Sequence, residues 1–505
     1  MAGGMKRLAK ETAIYGLSSI VGRFLNWMLV PMYTRVLANT NEFGVVTNLY
    51  GWTALLLVIL TYGMETGFFR FVNKQEEREP MRVYATALYS VGFTSALFMV
   101  AAWLLLGPIS GALGYAAHPE YVGMMAGIVA VDAFCCLPFA YLRYRNKAVR
   151  FAAIKLANIF LNIALNIFFL VVCPRLNESH PEWIAWFYRP GYGIGYIFLT
   201  NVFTTITTLL MLLPDMMPGL RARPDAARLR QMLAYSFPIL ILSIAGIFNQ
   251  TADKILFPLL FEDSRAAHTQ LGIYGACYKL AVVMVLFTQA FRYAYDPFIF
   301  AEKKKGEEAA RSAYSSAMTY YVLFTYFIFL VVMAYMEILK LLIEPTYYPG
   351  LVVVPWIMAG QLMFGIYFNL SLWYKVTDRT HWGTILSIFG CVLTVAIIVL
   401  LAPRYGFMAC AWASVVANGG VMLVSYFLGQ HYYPVQYQLK KLMGYTLLTA
   451  LLYGMMTFGA TSFAGSPLLQ LSINSLLLLL FVGIVLRLEV PRSAISMLRQ
   501  KLHRR

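Results

Sequence analysis

Charged residues are scarce in this chain. Of its 505 residues only 12% are Asp, Glu, Lys or Arg, whereas 60% are apolar and the mean hydropathy is +0.66. A soluble protein of this length carries about twice that share of charge. Runs of about 20 apolar residues, the length that crosses a bilayer as a helix, recur along nearly the whole chain. The composition therefore indicates an all-α integral membrane protein and leaves no room for a soluble domain.

Motifs for nucleotide hydrolysis, metal binding and disulfides are also missing. No G-x-x-x-x-G-K-[ST] run occurs, so the chain lacks the phosphate-binding loop of ATP-driven pumps. The six cysteines lie in apolar runs without a C-x-x-C pair, and the six histidines have no metal-ligand spacing. We expect no catalytic residue, metal or cofactor. The driving force would be a Na⁺ or H⁺ gradient, the membrane potential or the substrate's own gradient.

The apolar runs predict fourteen transmembrane helices. They lie at roughly 11–37, 43–71, 83–107, 120–142, 152–173, 191–213, 231–258, 271–298, 313–336, 350–374, 382–402, 407–428, 442–463 and 470–486. The longest outer loop, 174–190, has only about 17 residues, which argues against a membrane glycosyltransferase or polymerase because such enzymes place catalytic groups on sizeable outer loops.

The distribution of basic residues predicts the topology. The chain has 40 Lys and Arg against 23 Asp and Glu, a net charge of +17. If the amino terminus is cytoplasmic, 28 of the 40 lie in inner segments and 5 in outer loops, as the positive-inside rule requires. We therefore place both termini in the cytoplasm. The basic excess follows from orientation, and no nucleic-acid partner is expected.

A weak internal repeat, offset by about 229 residues, predicts the architecture. FGVVTNLY from Phe43 matches LGIYGACY from Leu271, and Pro174-Arg175 matches Pro403-Arg404. Because six spans separate equivalent positions, both copies share one orientation. We predict two pseudo-symmetric six-helix lobes around a central cavity plus two carboxy-terminal helices. The expected segments are an N-lobe (1–213), a cytoplasmic linker (214–230), a C-lobe (231–428), spans 13 and 14 (429–486) and a basic amphipathic tail (487–505).

Ionisable residues inside spans are the candidate functional groups, because a charge facing lipid costs about 2.5–3.5 kcal/mol or more. Eleven lie within the predicted limits: Arg23, Arg35, Glu65, Arg70, Asp132, Lys155, Asp253, Lys254, Lys279, Arg292 and Asp296. Arg35, Arg70, Lys155 and Asp296 lie near span ends, where a long side chain can reach the headgroups. The seven cations outnumber the four acids, which favours an anionic ligand such as a pyrophosphate group.

Helical phase selects two polar stripes. Arg23 and Asn26 lie on one face of span 1, and Gln250 and Lys254 lie on one face of span 7. We expect both stripes to border a hydrated pathway. The run Lys155, Asn158, Asn162 and Asn166 on span 5 is explained almost equally well by hydrogen bonds between helices.

Two charge pairings are also predicted. Asp253 and Lys254 are adjacent, so we expect each to find its partner elsewhere. Glu65 and Arg292 both lie in the inner third of their spans, and we predict that they form a gate pair between the lobes.

Six stretches resemble the polysaccharide transporter branch of the multidrug/oligosaccharidyl-lipid/polysaccharide exporter superfamily. ETAIYGLSSIVGRFLNWMLVPMYTRVL followed by EFGVV is similar to the family's opening, and FNQTADKILFPLLF with LGIYGACYKLA and FRYAYDPFIF is similar to its seventh and eighth spans. PRYGFMACAWASVVAN resembles its carboxy-terminal region. Lys254 departs from the Arg that many relatives carry after the Asp, which keeps the charge and loses the bidentate fork.

The resemblance implies alternating access and a cationic cavity for a polyprenyl-pyrophosphate-linked oligosaccharide, with Arg23, Lys254, Lys279 and Arg292 on cavity-lining spans. By analogy with the lipid II flippase branch, spans 13 and 14 would form a groove for the polyprenyl tail. Together with the helical phase, this gives Arg23, Asn26, Gln250, Lys254, Lys279 and Arg292 as substrate-binding residues and Glu65, Asp132, Asp253 and Asp296 as gating or ion-coupling residues.

Two functions remain open at this stage. The first is a flippase, and not an enzyme, that moves the lipid-linked oligosaccharide to the outer leaflet of a bacterial cytoplasmic membrane for O-antigen, capsule or exopolysaccharide synthesis. It would act as a monomer among membrane lipids, alone or beside a polysaccharide polymerase. The second is an ion-coupled exporter of small amphiphiles. The span count and cationic interior favour the first, whereas the deep acids Glu65, Asp132 and Asp253 leave the second open.

Overall fold

The computed structural model describes residues 21–22, 24–37, 39–73, 79–303, 306–462 and 466–489. Within them the chain is helical and contains no β-strand. The first α-helices are α1 (Val30–Val36), α2 (Thr40–Thr61), α3 (Met64–Val72), α4 (Pro80–Leu104), α5 (Leu106–Ala112), α6 (Pro119–Tyr144), α7 (Ala148–Ile167), α8 (Cys173–Ser179), α9 (Pro181–Ile184), α10 (Ile194–Arg221) and α11 (Ala226–Leu256).

The second half of the chain continues in the same way. Its helices are α12 (Ser264–Lys303), α13 (Glu307–Ala334), α14 (Met336–Leu339), α15 (Val354–Leu370), α16 (Leu372–Val376), α17 (His381–Tyr405), α18 (Met408–Tyr432), α19 (Leu439–Ser462) and α20 (Pro467–Glu489). A π-helix, Phe168–Val172, follows α7, and 3₁₀ segments lie at Phe257–Leu260, Lys340–Leu342 and Pro345–Val353.

Thirteen helices in the described part of the chain are long and apolar enough to cross a membrane. They correspond in order to the second to fourteenth predicted spans. Helices are the expected form because lipid offers no partner to a free backbone N–H or C=O. The predicted all-α, many-span membrane fold is confirmed. The first ten residues of the first predicted span, 11–37, lie outside the described residues, and α1 covers its end.

The predicted linker 214–230 is mostly helical. Helix α10 continues through Pro214 and Pro218 to Arg221, so only residues 222–225 connect it to α11. Asp225 begins α11 by accepting hydrogen bonds from the backbone N–H groups of Ala227 and Arg228 at 2.9 and 3.2 Å. These two bonds satisfy N–H groups that have no partner inside the helix.

The predicted span 43–71 is broken into α2 and α3. The break lies at Tyr62 and Gly63, which both adopt left-handed backbone angles, with φ of 32° and 69°. The Ser236 hydroxyl on α11 donates to the Gly63 carbonyl at 3.3 Å. This bond is additional to the one that the Gly63 carbonyl accepts from the Gly67 N–H at 3.1 Å, and it joins α11 to the break.

The chain divides into two compact units. The first contains the described residues up to Lys279 together with His381–Ala413, and the second contains Leu280–Thr380 together with the described residues from Ser414 onward. In the second unit α20 packs on α13, where the Asn474 amide donates to the Ala334 carbonyl at 2.9 Å. The six-helix lobes stay a prediction, and the predicted amphipathic tail lies outside the described residues beyond Glu489.

Candidate functional site

A polar cavity of about 450 Å³ lies in the first unit. Its wall combines residues on and just before α1 with parts of α2, α7, α10, α11 and the beginning of α12. Most of the polar side chains are amides, hydroxyls and ammonium groups: Asn26, Tyr33, Thr47, Tyr50, Asn158, Asn162, Asn201, Gln250, Thr251, Lys254, Tyr278 and Lys279. Four of the six predicted substrate-binding residues, Asn26, Gln250, Lys254 and Lys279, therefore lie along one cavity.

Lys254 is paired with its neighbour, contrary to the sequence-based expectation. Its Nζ lies 3.0 Å from both carboxylate oxygens of Asp253 and 4.3 Å from the centre of the Tyr278 ring. Adjacent residues leave a helix about 100° apart, but a lysine side chain is long enough to turn back to its neighbour. The Tyr274 hydroxyl also donates to Asp253 at 2.7 Å. Asp253 is therefore a buried anchor for the Lys254 ammonium group.

Lys279 supplies the second ammonium group of the cavity. It is half-buried on α12, and its backbone carbonyl accepts a hydrogen bond from the Trp27 indole at 2.7 Å. No carboxylate is found among the described residues that line the polar cavity. The wall thus presents two ammonium groups among neutral amides and hydroxyls, that of Lys254 being balanced by Asp253 behind the wall. This set suits a ligand with concentrated negative charge and many hydroxyl groups.

The amides of α7 form hydrogen bonds across the helices and also line the polar cavity. Asn158 donates to the Thr208 hydroxyl at 2.8 Å, and Asn162 donates to the Asn201 carbonyl oxygen at 3.2 Å. Asn201 in turn donates to the Tyr50 hydroxyl at 2.7 Å. Asn158 and Asn162 thus join helices and also lie at the cavity surface, and a hydrated pathway along the α7 stripe stays a prediction.

Helices α2 and α12 cross in very close contact at one end of the polar cavity. A Cβ added to Gly44 would lie 1.8 Å from the His268 carbonyl oxygen, and one added to Gly272 would lie 1.9 Å from the Thr40 carbonyl oxygen. These two glycines occupy equivalent positions of the sequence repeat, and each meets the residue four positions before the other. The contact is reciprocal, as expected for two repeats related by a rotation axis.

Two predicted gating acids have partners in the first unit, away from the polar cavity. Glu65 forms a salt bridge with Arg143, whose guanidinium also lies 5.1 Å from the centre of the Phe69 ring. Asp132 accepts a hydrogen bond from the Thr205 hydroxyl at 3.2 Å. Their roles in gating or ion coupling stay predictions, as does a gate pair between Glu65 and Arg292.

The remaining predicted residues lie elsewhere. Arg292 belongs to the second unit, where its guanidinium stacks 4.7 Å from the centre of the Phe368 ring. Lys375 approaches the same ring at 4.4 Å. Asp296 lies on α12, but its side chain is outside the described part of the structure, and Arg23 is wholly outside it.

Asn201, Tyr50 and Tyr278 also line the polar cavity, although they are not among the residues predicted from the sequence. Asn201 could have been found, because it follows Thr200 and precedes Thr204 and Thr205 on an otherwise apolar helix. The tyrosines carry no such signal. Among the described residues, no group of His, Cys, Asp and Glu could hold a metal ion.

Comparison with known proteins gives a result only for structure. No protein-family model matches the chain, and no curated protein matches it by sequence. The lipid II flippase MurJ in an inward closed conformation is similar with a TM-score of 0.70 at 12% identity, over 94% of this chain and 100% of that chain.

Multidrug transporters of the MATE family are similar as well. An inward-facing MATE transporter of the MOP superfamily gives a TM-score of 0.64 at 11% identity, over 81% of this chain and 94% of that chain. The MATE transporter DinF-BH, in a ligand complex, gives a TM-score of 0.60 at 13% identity, over 84% of this chain and 96% of that chain. The chain therefore has the fold that the lipid II flippase MurJ shares with the MATE transporters.

Proposed function

We propose that this protein is a flippase rather than an enzyme. It carries a polyprenyl-pyrophosphate-linked oligosaccharide from the inner to the outer leaflet by alternating access, as a step in O-antigen, capsule or exopolysaccharide synthesis. The observation that carries the proposal is the wall of the polar cavity, where Lys254 and Lys279 stand among amides with no carboxylate among the described lining residues. The ammonium groups suit the pyrophosphate, and the amides suit the sugar hydroxyls.

An apolar cavity in the second unit is consistent with the lipid part of such a cargo. Its volume is about 390 Å³, and its wall is almost entirely apolar. Leu442 and Met443 on α19, the thirteenth predicted span, line it together with Val322 and Tyr326 on α13. A polyprenyl chain that entered this cavity from the lipid would exchange one apolar environment for another, so close packing and not the hydrophobic effect would favour it there.

The proposed location is a bacterial cytoplasmic membrane with both termini inside, because 28 of the 40 basic residues lie in the predicted inner segments. The protein would work as a monomer among membrane lipids and would deliver its cargo to a polysaccharide polymerase.

The second candidate function is ion-coupled export of small amphiphiles. Two observations favour it: the similarity to MATE transporters, one of them in a ligand complex, and the buried carboxylate of Asp253 beside the polar cavity. An exporter of this kind would couple release of a cationic compound to Na⁺ or H⁺ binding at an acid. The carboxylate of Asp253, however, is already paired with Lys254, which lowers its ability to bind a cation.

The test is a leaflet-exchange assay in proteoliposomes. It follows a fluorescent undecaprenyl-pyrophosphate oligosaccharide with and without a Na⁺ gradient, an H⁺ gradient and a membrane potential. Protein-dependent transfer between leaflets is the expected result. Absence of transfer, together with gradient-driven extrusion of a fluorescent cationic dye, would replace the flippase by the exporter.

Substitution of a cavity cation links the activity to the site. Lys279→Gln removes one charge-assisted hydrogen bond, worth about 1.5–3 kcal/mol, so transfer should fall about 10- to 150-fold at limiting substrate. Lys279→Arg should retain most of it. Lys440→Gln is the matched control, because Lys440 is exposed on α19 and does not line the polar cavity. Equal rates in Lys279→Gln and the control would show that this cation does not bind the cargo.

A further inference from the structure

A second cavity, here called the tyrosine cavity, lies in the first unit where α2 and α12 begin. Its volume is about 410 Å³, within the range of about 300–1,000 Å³ usual for small-molecule sites. The residues that define its chemistry are Asn41, Glu42, Tyr115, Tyr121, Tyr192 and Arg265.

The tyrosine cavity and the polar cavity lie on opposite sides of the α2–α12 crossing. On α12, residues as far as His268 line the tyrosine cavity, and residues from Gly275 onward line the polar cavity. Gly272 lies between these two groups of residues. On α2 the two linings meet around Gly44, because the polar cavity begins at Phe43 and the tyrosine cavity reaches Val45. The two cavities are therefore neighbours at the contact between Gly44 and Gly272.

The chemistry of the two cavities differs. Glu42 and Arg265 give the tyrosine cavity one acid and one base, so it lacks the cationic excess of the polar cavity. Aromatic rings line both cavities, and in the tyrosine cavity several of them pack against one another. The Tyr121 ring stacks on His118 with centroids 4.9 Å apart and planes at 13°, and it lies 6.1 Å from the Tyr192 ring.

The tyrosine cavity is also held in shape by hydrogen bonds. The Tyr115 hydroxyl donates to the Asn48 carbonyl oxygen at 2.7 Å and lies 2.8 Å from His268 Nε2. The Asn41 amide donates to the Arg265 backbone carbonyl at 2.9 Å and so joins α2 to α12. A wall that is ordered before the ligand arrives loses less conformational entropy on binding.

A sugar ring matches this combination of groups. Its C–H faces are apolar and flat enough to lie on an aromatic ring, and its hydroxyls both donate and accept hydrogen bonds, which requires amide, carboxylate and guanidinium partners together. An anion would lack a net positive wall here, and a long alkyl chain would leave the polar groups without partners.

We propose that the tyrosine cavity is a binding site for neutral saccharides and holds the sugar part of the cargo beside the polar cavity. Its place in transport rests on the proposed flippase function. Binding of a free saccharide does not rest on that function, because it depends only on the groups that line the cavity.

The experiment uses the full-length protein in lipid nanodiscs without any lipid-linked substrate. Saturation-transfer NMR is recorded with free glucose, galactose and N-acetylglucosamine in turn. At least one sugar should receive magnetisation from the protein. The signal should fall about fivefold in Glu42→Ala and in Tyr192→Ala, the expected effect of one lost contact. Tyr192→Phe should keep most of it, because the ring remains.

Tyr320→Ala is the matched control, since Tyr320 is an exposed tyrosine on α13, outside the tyrosine cavity. Signals that are absent for all three sugars, or equal in the cavity variants and the control, would overturn the proposal. Displacement of the sugar by inorganic pyrophosphate would also overturn it, because the site would then prefer an anion. Saccharide binding without leaflet exchange would instead contradict the flippase function and leave the binding site standing.

Discussion

Gly44 and Gly272 face each other where α2 crosses α12, and neither position has room for a side chain. The added Cβ atom would come within 1.8 Å of the His268 carbonyl oxygen in one case and 1.9 Å of the Thr40 carbonyl oxygen in the other. Both clashes involve backbone atoms, so a rotamer change cannot relieve them. The helices can hold this distance only while both residues are glycine.

Gly44→Ala and Gly272→Ala should each push α2 and α12 apart. Overpacking at such a contact costs about 1–3 kcal/mol. The ratio of molecules in which α2 and α12 are in contact to molecules in which they are apart should therefore fall about 5- to 150-fold. The measurement is the rate at which an impermeant thiol reagent labels Asn26→Cys in the polar cavity, applied from the side where α2 and α12 begin. Labelling should be faster in both glycine variants.

Gly454→Ala serves as the control for the crossing. A Cβ at Gly454 on α19 would meet no atom within 4 Å, so labelling of Asn26→Cys should not change. Unchanged labelling in Gly44→Ala and Gly272→Ala as well would mean that the crossing does not separate the polar cavity from that side.

Asp253 and Lys254 should stabilise the protein only as a pair. Their side chains are 12% and 15% exposed, and breaking a buried pair by removing one partner costs about 3–5 kcal/mol because the other charge remains. Asp253→Asn and Lys254→Gln should each lower the melting temperature in detergent. The double variant should recover most of the loss. A double variant with the summed loss of the two single variants would contradict the pairing.

Asn166 should matter for stability more than for binding. It is fully buried, accepts from the Tyr33 hydroxyl at 2.9 Å and donates to the Thr200 hydroxyl at 3.1 Å. Asn166→Leu leaves these hydroxyls without their partner, at about 0.6–2 kcal/mol for a polar contact between membrane helices. Thermal unfolding should show the loss. Asn26→Ala, at an exposed cavity position, should leave the melting temperature within error, and an equal loss in both variants would refute the distinction.

Asp225 should make stability depend on pH in the acid range. The backbone N–H groups of Arg228 and Ala227 donate to its carboxylate, and these bonds hold the pKa of Asp225 below its usual range. A lowered folded-state pKa adds stability above the unfolded value of about 3.9 and loses it as the pH falls through the folded value. Melting temperatures measured from about pH 6 to about pH 3 should therefore fall more steeply for the natural chain than for Asp225→Asn. Parallel curves would show that the Asp225 side chain is not charged in the folded protein.

The sequence predicted the spans and much of the polar cavity because both depend on local patterns. Length and hydropathy identify a membrane helix without knowledge of its neighbours, and a polar residue on an apolar helix must face something other than lipid. Gln250 and Lys254, singled out in this way, line one cavity with Asn26 and Lys279, and their binding of substrate stays a prediction. The repeat likewise aligned Gly44 with Gly272 before their contact was known.

Pairing between side chains was harder to predict. Glu65 and Arg143 are far apart in the sequence, and nothing local identifies one as the partner of the other. The pairing of Asp253 with Lys254 was missed for the opposite reason, since helical phase describes where a side chain leaves the backbone and not where a flexible lysine ends. The extension of α10 past Pro214 shows a similar limit, because a proline lowers helix propensity without ending every helix.

The Asp253–Lys254 pair also has an electrical consequence. The two charges sit on consecutive residues of α11 and sum to zero, so a displacement of that helix carries no net charge from this pair through the membrane field. Lys279 on α12 carries a full charge, and moving one elementary charge across the field is worth about 2.3 kcal/mol per 100 mV. Of the two ammonium groups in the polar cavity, the one on α12 is therefore the group on which a transmembrane voltage would act.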